Sequence, residues 1–165
     1  MTSAILMIYD QNAETPAFAA LGQVLRSLGR GWRAAIIQFS RGAASLGEVE
    51  SVGLESALEC HVLSEVANDG NEDAGIALAW EHARSVIQSG RFQLVLLDQL
   101  TEPLNRGLLK LDQVVSVLSA RPPHVHVVIT GHGFPASLLE DANLVTEEVH
   151  SIPPHGNTPT ASENC

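Results

Sequence analysis

Short apolar runs that alternate with helical stretches are the feature that most constrains the fold of this chain. Four runs are nearly continuous in apolar residues, as expected for strands buried on both faces of a sheet. They are Ala4 to Tyr9, Ala34 to Phe39, Phe92 to Leu97 and Val125 to Thr130, with a weaker run at Glu59 to Leu63. The alternation predicts a three-layer α/β fold, in which helices cover both faces of a parallel sheet of about five to six strands.

The helical stretches between these runs have recognisable ends. They are predicted at Pro16 to Leu28, Glu72 to Gln88, Leu108 to Ala120 and Pro135 to Ala142. Pro16 suits a first helical turn, and Gly29 suits the position after a last turn. In the second stretch the apolar residues recur at helical spacing up to Gly90, which places Trp80 in the core.

Composition limits the number of domains and the kind of partner. With 165 residues and 45% apolar content, residues 1–152 are read as one domain, and the proline-containing residues 153–165 as a flexible tail. A formal net charge of -10 repels nucleic acid and anionic membranes. The start resembles neither a signal peptide nor a membrane span, and the two cysteines form no disulfide framework. We therefore expect a cytoplasmic protein.

Polar residues at the ends of two predicted strands are the first candidates for a site, because open parallel sheets bind ligands beyond the carboxyl ends of their strands. Asp98 closes the run LVLLD, where nucleotide enzymes hold a carboxylate that orders magnesium. A strand-end aspartate can equally cap the next segment. His132 lies between two glycines at the same predicted edge, and such glycines admit a ligand or simply form a turn.

The other histidines form no metal-ligand cluster in the sequence. They are His61, His82, His124, His126, His150 and His155. His124 and His126 would project from the same strand face, which could suggest a metal. No third ligand for that pair is apparent.

Several segments together resemble one family, the ATP:corrinoid adenosyltransferases of the bacterial cobalamin pathway. The matching segments are LGRGWRAAIIQFSRG, the GE at Gly47 and Glu48, LVLLDQLTEP, SARPPHVHVVITGHG and LLEDANLVTEEVHSI. They occur in the family's order and at close to its spacing, over most of residues 4 to 152. The resemblance implies a P-loop NTPase fold of the RecA-like type and a dimer.

The phosphate-binding loop of that family, GNGKGKTT, is not kept. Its first seven positions fall on residues 11–17, where only Asn12 matches. A phosphate cradle needs glycines that turn backbone N–H groups inward, a lysine for the phosphates and a hydroxyl for magnesium. Here Pro16 replaces the lysine, Ala17 replaces the hydroxyl, and Glu14 adds a negative charge. Binding of ATP in the family's manner is not expected.

Other family positions are partly kept. If the activity is retained, the resemblance implies that Asp98 assists magnesium and that His132 replaces an arginine as the second catalytic residue. The family's second strand-end acid is Gln99 here, and the polar residues 64–71 replace an aromatic segment near the corrinoid. The residues that the resemblance implies for cofactor binding are Asn12, Thr15, Gln38, Glu48, Gln99, Thr101, Gly131 and Gly133.

Three hypotheses follow. The first is a non-catalytic member of the family that acts as a binding or partner subunit, as a homodimer or with an intact family member, and its ligand could be a corrinoid. The second is an active adenosyltransferase with ATP, magnesium and corrinoid. The third is a different chemistry in an acidic cleft formed by Asp10, Glu14, Asp98 and His132.

Overall fold

The computed structural model describes residues 4–11, 18–40, 56–62 and 72–147. Within these ranges, strands and helices follow one another along most of the chain. In chain order they are β1 (Leu6–Asp10), α1 (Phe18–Gly29), β2 (Ala34–Gln38), β3 (Leu58–Val62), α2 (Glu72–Ser89), β4 (Leu94–Asp98), α3 (Thr101–Asn105), α4 (Leu111–Ser119), β5 (His126–Gly131), α5 (Ala136–Asp141) and β6 (Leu144–Glu147).

The strands form one sheet of six strands in the order β3-β2-β4-β5-β1-β6. Every neighbouring pair is parallel. Parallel strands need a crossover connection, and helices lie against the sheet as such connections require. The predicted α/β fold is confirmed, and the architecture is consistent with a P-loop NTPase-like fold.

Alternate residues of the central strands point to opposite faces and separate the core into two clusters. On one face, Ala34 and Ile36 of β2 pack with Ala20, Val24 and Leu28 of α1. On the other face, the partners of Ala35 and Ile37 come from α2, α4 and α5; they include Ile76, Trp80, Val114, Val117 and Leu138. The predicted core position of Trp80 is confirmed, since it is almost fully buried.

Two elements were missed and one helix starts later than predicted. The helix predicted from Leu108 begins at Leu111. Leu108 and Leu109 donate their backbone N–H groups to the Pro103 carbonyl at 2.9 and 3.2 Å, so they close the end of α3 instead. Helix α3 and strand β6 were not predicted. The start predicted for α1, at Pro16, lies outside the described residues.

The carboxyl ends of four neighbouring strands lie together at one edge of the sheet. They are Gln38 of β2, Asp98 of β4, Gly131 of β5 and Asp10 of β1. We call this the carboxyl edge. Among the helices of the described ranges, none combines the length and the apolar character needed to cross a bilayer.

Candidate functional site

Asp98 is the buried centre of the carboxyl edge, with a residue exposure of 2%. The Thr130 hydroxyl donates a hydrogen bond of 2.6 Å to Asp98 Oδ1. The Gln38 side-chain amide donates one of 3.3 Å to Asp98 Oδ2. Each carboxylate oxygen therefore has a neutral donor, supplied by the strands on either side of β4.

Burial raises the pKa of Asp98, and the hydrogen bonds from Thr130 and Gln38 oppose that rise only in part. A buried carboxylate keeps its charge at low cost only beside a positive charge, whereas hydroxyl and amide donors compensate it incompletely. A proton or a bound cation would supply the missing charge. Asp98 is thus suited to hold a metal ion or to carry a proton.

Gln99 continues the network in an unusual backbone conformation. Its φ is +59°, which non-glycine residues seldom adopt. The Gln99 backbone N–H donates to Thr130 Oγ1 at 3.0 Å, and the residue is 5% exposed. Strain of this kind persists where the surroundings fix the backbone, and it is concentrated at functional sites.

A second group of residues lies where β5 ends. The His132 backbone N–H donates to Thr101 Oγ1 at 2.9 Å, and the Asn105 amide donates to the His132 carbonyl at 3.3 Å. Gly131 has a φ of +154°, and a Cβ there would overlap Thr101 Oγ1. The close approach of β5 to α3 therefore requires glycine at position 131.

The His132 ring is the exposed part of the edge. Its side chain is 72% exposed, and Nδ1 lies 3.2 Å from Asp10 Oδ1 at the end of β1. An imidazole at this position can meet a ligand that approaches from solvent. The edge therefore combines a buried carboxylate with an exposed imidazole.

Sequence comparison assigns the chain that carries this site to a family. A family profile described as ATP:corrinoid adenosyltransferase BtuR/CobO/CobP matches residues 2–153. The chain belongs to this adenosyltransferase family. The resemblance predicted from the sequence segments is confirmed.

Individual relatives agree with the family match. A protein named corrinoid adenosyltransferase from Pseudomonas aeruginosa is 34% identical over 149 residues, covering 87% of this chain and 73% of the relative. Corrinoid adenosyltransferase CobA from Salmonella typhimurium is 30% identical over 147 residues, covering 87% and 75%. A corrinoid adenosyltransferase from Sinorhizobium is 34% identical over 151 residues, covering 87% and 71%.

The residues that the adenosyltransferase resemblance singled out fall into three sets. Gln38, Asp98 and Gln99 share the buried network with Thr130. Thr101, Gly131 and His132 form the neighbouring group, and Gly133 follows with a φ of +70°. Asn12, Thr15 and Glu48 lie outside the described residues, as do Glu14 and the polar residues 64–71.

Thr130 is the site residue that sequence reasoning missed. It is fully buried, and it both donates to Asp98 and accepts from Gln99. The available signal was its position, because it is a polar residue near the end of an otherwise apolar run. The prediction treated it only as the last residue of the strand.

The prediction that the histidines form no metal-ligand cluster was wrong. The side chains of Glu59, His61 and His82 converge, and one potential ligand atom from each lies within 4.8 Å of the others. His61 and His82 are separated in the sequence, so their proximity depends on α2 packing beside β3. The predicted pairing of His124 with His126 on one strand face was also wrong, since β5 begins at His126.

Those two histidines make separate structural contacts. His126 Nδ1 accepts the Ile5 backbone N–H at 3.2 Å, and its ring stacks on Trp32. His124 Nε2 donates to the Gly90 carbonyl at 2.8 Å. Burial lowers the pKa of His126, and the charges of Arg121 and His124 lower it further.

Proposed function

We propose that this chain is an adenosyltransferase that transfers the 5′-deoxyadenosyl group of ATP to the reduced cobalt of a corrinoid. The observation that carries the proposal is the buried Asp98 carboxylate at the carboxyl edge of the sheet. It occurs in a chain whose similarity to proteins named corrinoid adenosyltransferases extends over 87% of its length. The site and the similarity support the same chemistry.

The reaction would form a cobalt–carbon bond and break a carbon–oxygen bond. Reduced cobalt supplies the electron pair that attacks C5′ of ATP, and the C5′ oxygen leaves with the triphosphate. The polypeptide's tasks are therefore to align the two reactants and to compensate the charge that builds up on the leaving oxygens.

Asp98 is the residue that would hold magnesium. Its raised pKa reflects a buried carboxyl that lacks positive compensation from its hydrogen-bond partners, so a divalent cation suits the position. Bound magnesium would supply the positive charge that a triphosphate leaving group needs. Thr130 and Gln38 would keep the carboxylate oriented, since each binds one of its oxygens.

His132 would act at the exposed side of the same edge. Its ring is largely exposed and can hydrogen-bond a ligand that approaches from solvent. Asp10 lies close enough to orient the ring through Nδ1, which leaves Nε2 for a ligand. We propose this arrangement in place of the family's arginine.

A second candidate function is favoured by the composition of residues 11–17. These residues lack the glycines, the lysine and the magnesium-binding hydroxyl of a phosphate loop. A chain without a phosphate cradle could bind a corrinoid without catalysing transfer, or could act as the partner of an intact family member. The same Asp98 network would then be a retained part of the fold.

Calorimetric titration and an adenosylation assay separate the two candidates. Purified protein is titrated with magnesium–ATP and, separately, with a corrinoid, and turnover is measured under reducing conditions. The Asp98→Asn variant is compared with Asp141→Asn, which alters an exposed aspartate at the far end of α5. If the chain is an enzyme, Asp98→Asn lowers kcat on the order of a hundredfold, equivalent to about 2.7 kcal/mol, while Asp141→Asn leaves it unchanged.

The remaining outcomes assign the second candidate or reject both. Corrinoid binding without ATP binding or turnover identifies a binding subunit. Turnover that appears only after an intact family member is added identifies a partner subunit. If neither ligand binds and no partner restores turnover, both functions are excluded.

A further inference from the structure

A cluster of three potential metal ligands lies on β3, the terminal strand of the sheet among the described residues, and on the neighbouring helix α2. Glu59 and His61 are two residues apart on β3, so their side chains project from the same face. Their β2 neighbours, Ala35 and Ile37, pack into the core on the face that α2 covers. His82 belongs to α2, the helix that covers this face, and its side chain lies next to Glu59.

Two distances within this cluster are close to those between the ligands of a coordinated ion. Glu59 Oε1 lies 2.9 Å from His61 Nε2 and 3.4 Å from His82 Nε2. In a tetrahedral site with metal–ligand bonds of about 2.0–2.1 Å, neighbouring ligand atoms are about 3.3–3.4 Å apart. An ion could therefore enter the cluster with small side-chain movements.

The two imidazole rings are also close to each other, with centroids 3.7 Å apart and planes tilted by 45°. The Nε2 atom of each ring lies within 3.4 Å of the same carboxylate oxygen, Glu59 Oε1. The three side chains remain about one-third exposed, at 36% for His61, 34% for His82 and 33% for Glu59. Solvent therefore reaches part of each side chain, while His82 Nε2 itself is buried and makes no hydrogen bond within the described part of the chain, which leaves that nitrogen available to an ion.

We propose that Glu59, His61 and His82 form a binding site for a divalent transition-metal ion of the zinc class. Two imidazole nitrogens with one carboxylate oxygen are a ligand set that zinc accepts, and softer sulfur ligands are not required. Cys60 lies between the two strand ligands in the sequence, but its side chain packs against the hydrophobic core on the opposite face of the sheet. The site therefore uses nitrogen and oxygen ligands.

The site would join the edge strand to the helix beside it. Within the described part of the chain, β3 is the terminal strand of the sheet and pairs with β2 alone. An ion bound to β3 and α2 together would hold the edge strand to the helical layer, and it would stabilise the folded chain because the unfolded chain lacks the assembled site. The nearby guanidinium of Arg91, which interacts electrostatically with Glu59 and His82, opposes a cation and limits the affinity.

Zinc titration of the full chain, without an affinity tag and after treatment with a chelator, tests the proposal. We expect one Zn²⁺ to bind per chain and the Tm to be higher with Zn²⁺ than with chelator. When Co²⁺ replaces Zn²⁺, its absorption spectrum should be that of a four-coordinate site. His61→Ala and His82→Ala should each weaken binding by at least about tenfold, the smallest loss typical of disturbed metal sites. The matched control His124→Ala alters an exposed histidine elsewhere and should leave binding unchanged.

Two further measurements show whether a variant has misfolded and whether zinc binds to residues outside the proposed site. Glu59→Gln keeps the size of the side chain and should retain the fold, as checked by circular dichroism, while it weakens zinc binding. Stoichiometric binding that survives in the double variant His61→Ala/His82→Ala overturns the proposal, as does the absence of stoichiometric binding in the unaltered chain. These titrations contain neither ATP nor a corrinoid, so their outcome is independent of the proposed enzymatic function.

Discussion

The buried side chains at the carboxyl edge are held in place by hydrogen bonds to one another. The Thr130 hydroxyl connects the Asp98 carboxylate with the Gln99 backbone N–H, at 2.6 and 3.0 Å. A buried group that both donates and accepts is expensive to remove, because both partners lose a hydrogen bond together. Thr130 is therefore expected to contribute more stability than an ordinary strand threonine.

Thr130→Val tests this contribution with little change in volume. We expect the free energy of unfolding to fall by about 2–3 kcal/mol, because Asp98 Oδ1 and the Gln99 backbone N–H each lose the hydrogen bond to Thr130. Urea denaturation measures the change. Thr146→Val, in the partly exposed edge strand β6, is the control and should stay within about 0.5 kcal/mol of the unaltered chain. Equal losses in the two variants would contradict the role of Thr130.

The raised pKa of Asp98 predicts how stability depends on pH. The folded chain holds this proton more tightly than the unfolded chain, so the associated stability is present below the unfolded pKa, about 3.9, and is lost as the pH rises through the folded pKa. The Asp98→Asn variant has no carboxyl group to deprotonate at this position, so it does not lose this stability as the pH rises. With chelator present, the variant should gain stability relative to the unaltered chain as the pH rises above about 4, the ordinary pKa of an unfolded aspartate.

Urea denaturation at several pH values gives the relative stability of the two proteins. A gain by the unaltered chain as the pH rises would contradict the assigned direction of the pKa shift. Adding Mg²⁺ in place of chelator provides a second test. An ion at Asp98 should restore the stability of the unaltered chain at neutral pH and leave Asp98→Asn unaffected.

Sequence reasoning found some of these residues and missed others for a physical reason. Asp98 and Gln38 could be predicted because topology alone brings the carboxyl ends of parallel strands together. The convergence of His82 with Glu59 and His61 could not, because it depends on how α2 is rotated against an edge strand. The periodicity of apolar residues predicts which side of a helix is buried. It does not predict which strand lies next to the residues that flank that buried side.

At the level of elements, the end of β5 approaches α3 closely. A Cβ on Gly131 would overlap Thr101 Oγ1 and would lie 2.8 Å from Thr101 Cγ2. Thr101 is itself buried and accepts the His132 N–H, so it has little room to move. The two elements approach this closely because glycine has no side chain.

Gly131→Ala should separate β5 from α3 and lower the free energy of unfolding by about 2 kcal/mol or more. Gly22→Ala is the matched control, because Gly22 is in α1 and a Cβ there meets nothing within 4 Å. That control should stabilise the chain by about 0.5–1 kcal/mol through helix propensity. Thermal and urea denaturation measure both variants. A neutral Gly131→Ala would show that the contact can relax.

The accuracy of the predicted elements followed the amount of apolar sequence in each. β2 and β4 are buried along their whole length, and their apolar runs identified them. β6 has the sequence LVTE and lies mostly exposed at an edge, so it carries neither an apolar run nor a clear alternation. α3 has five residues including Pro103, which is too short for helical periodicity to appear.

For the molecule as a whole, the excess of acidic residues should act against folding. The formal net charge is -10, from nine basic and nineteen acidic side chains. Like charges repel more strongly in the compact state than in the expanded chain. Raising the salt from about 0.01 M to about 0.15 M shortens the Debye length from about 30 Å to about 8 Å, and the Tm should rise.

Scanning calorimetry at several salt concentrations measures this rise. The control is the same salt series at about pH 5, where carboxylates begin to gain protons and histidines become charged. The increase should be smaller there because the net charge is smaller. A Tm that falls with salt at neutral pH would contradict the dominance of acidic repulsion.

The position of β1 in the sheet also affects how the chain folds during synthesis. β1 pairs with β5 and β6, and its region bonds to His126 and Asn143 across 121 and 137 residues of chain. β1 therefore leaves the ribosome long before β5 and β6, the strands that pair with its two sides. Contacts of such long range slow folding and leave strand edges open to other chains in the meantime. A chain that stalls on the ribosome before β5 would thus present β1 as an unpaired, aggregation-prone strand.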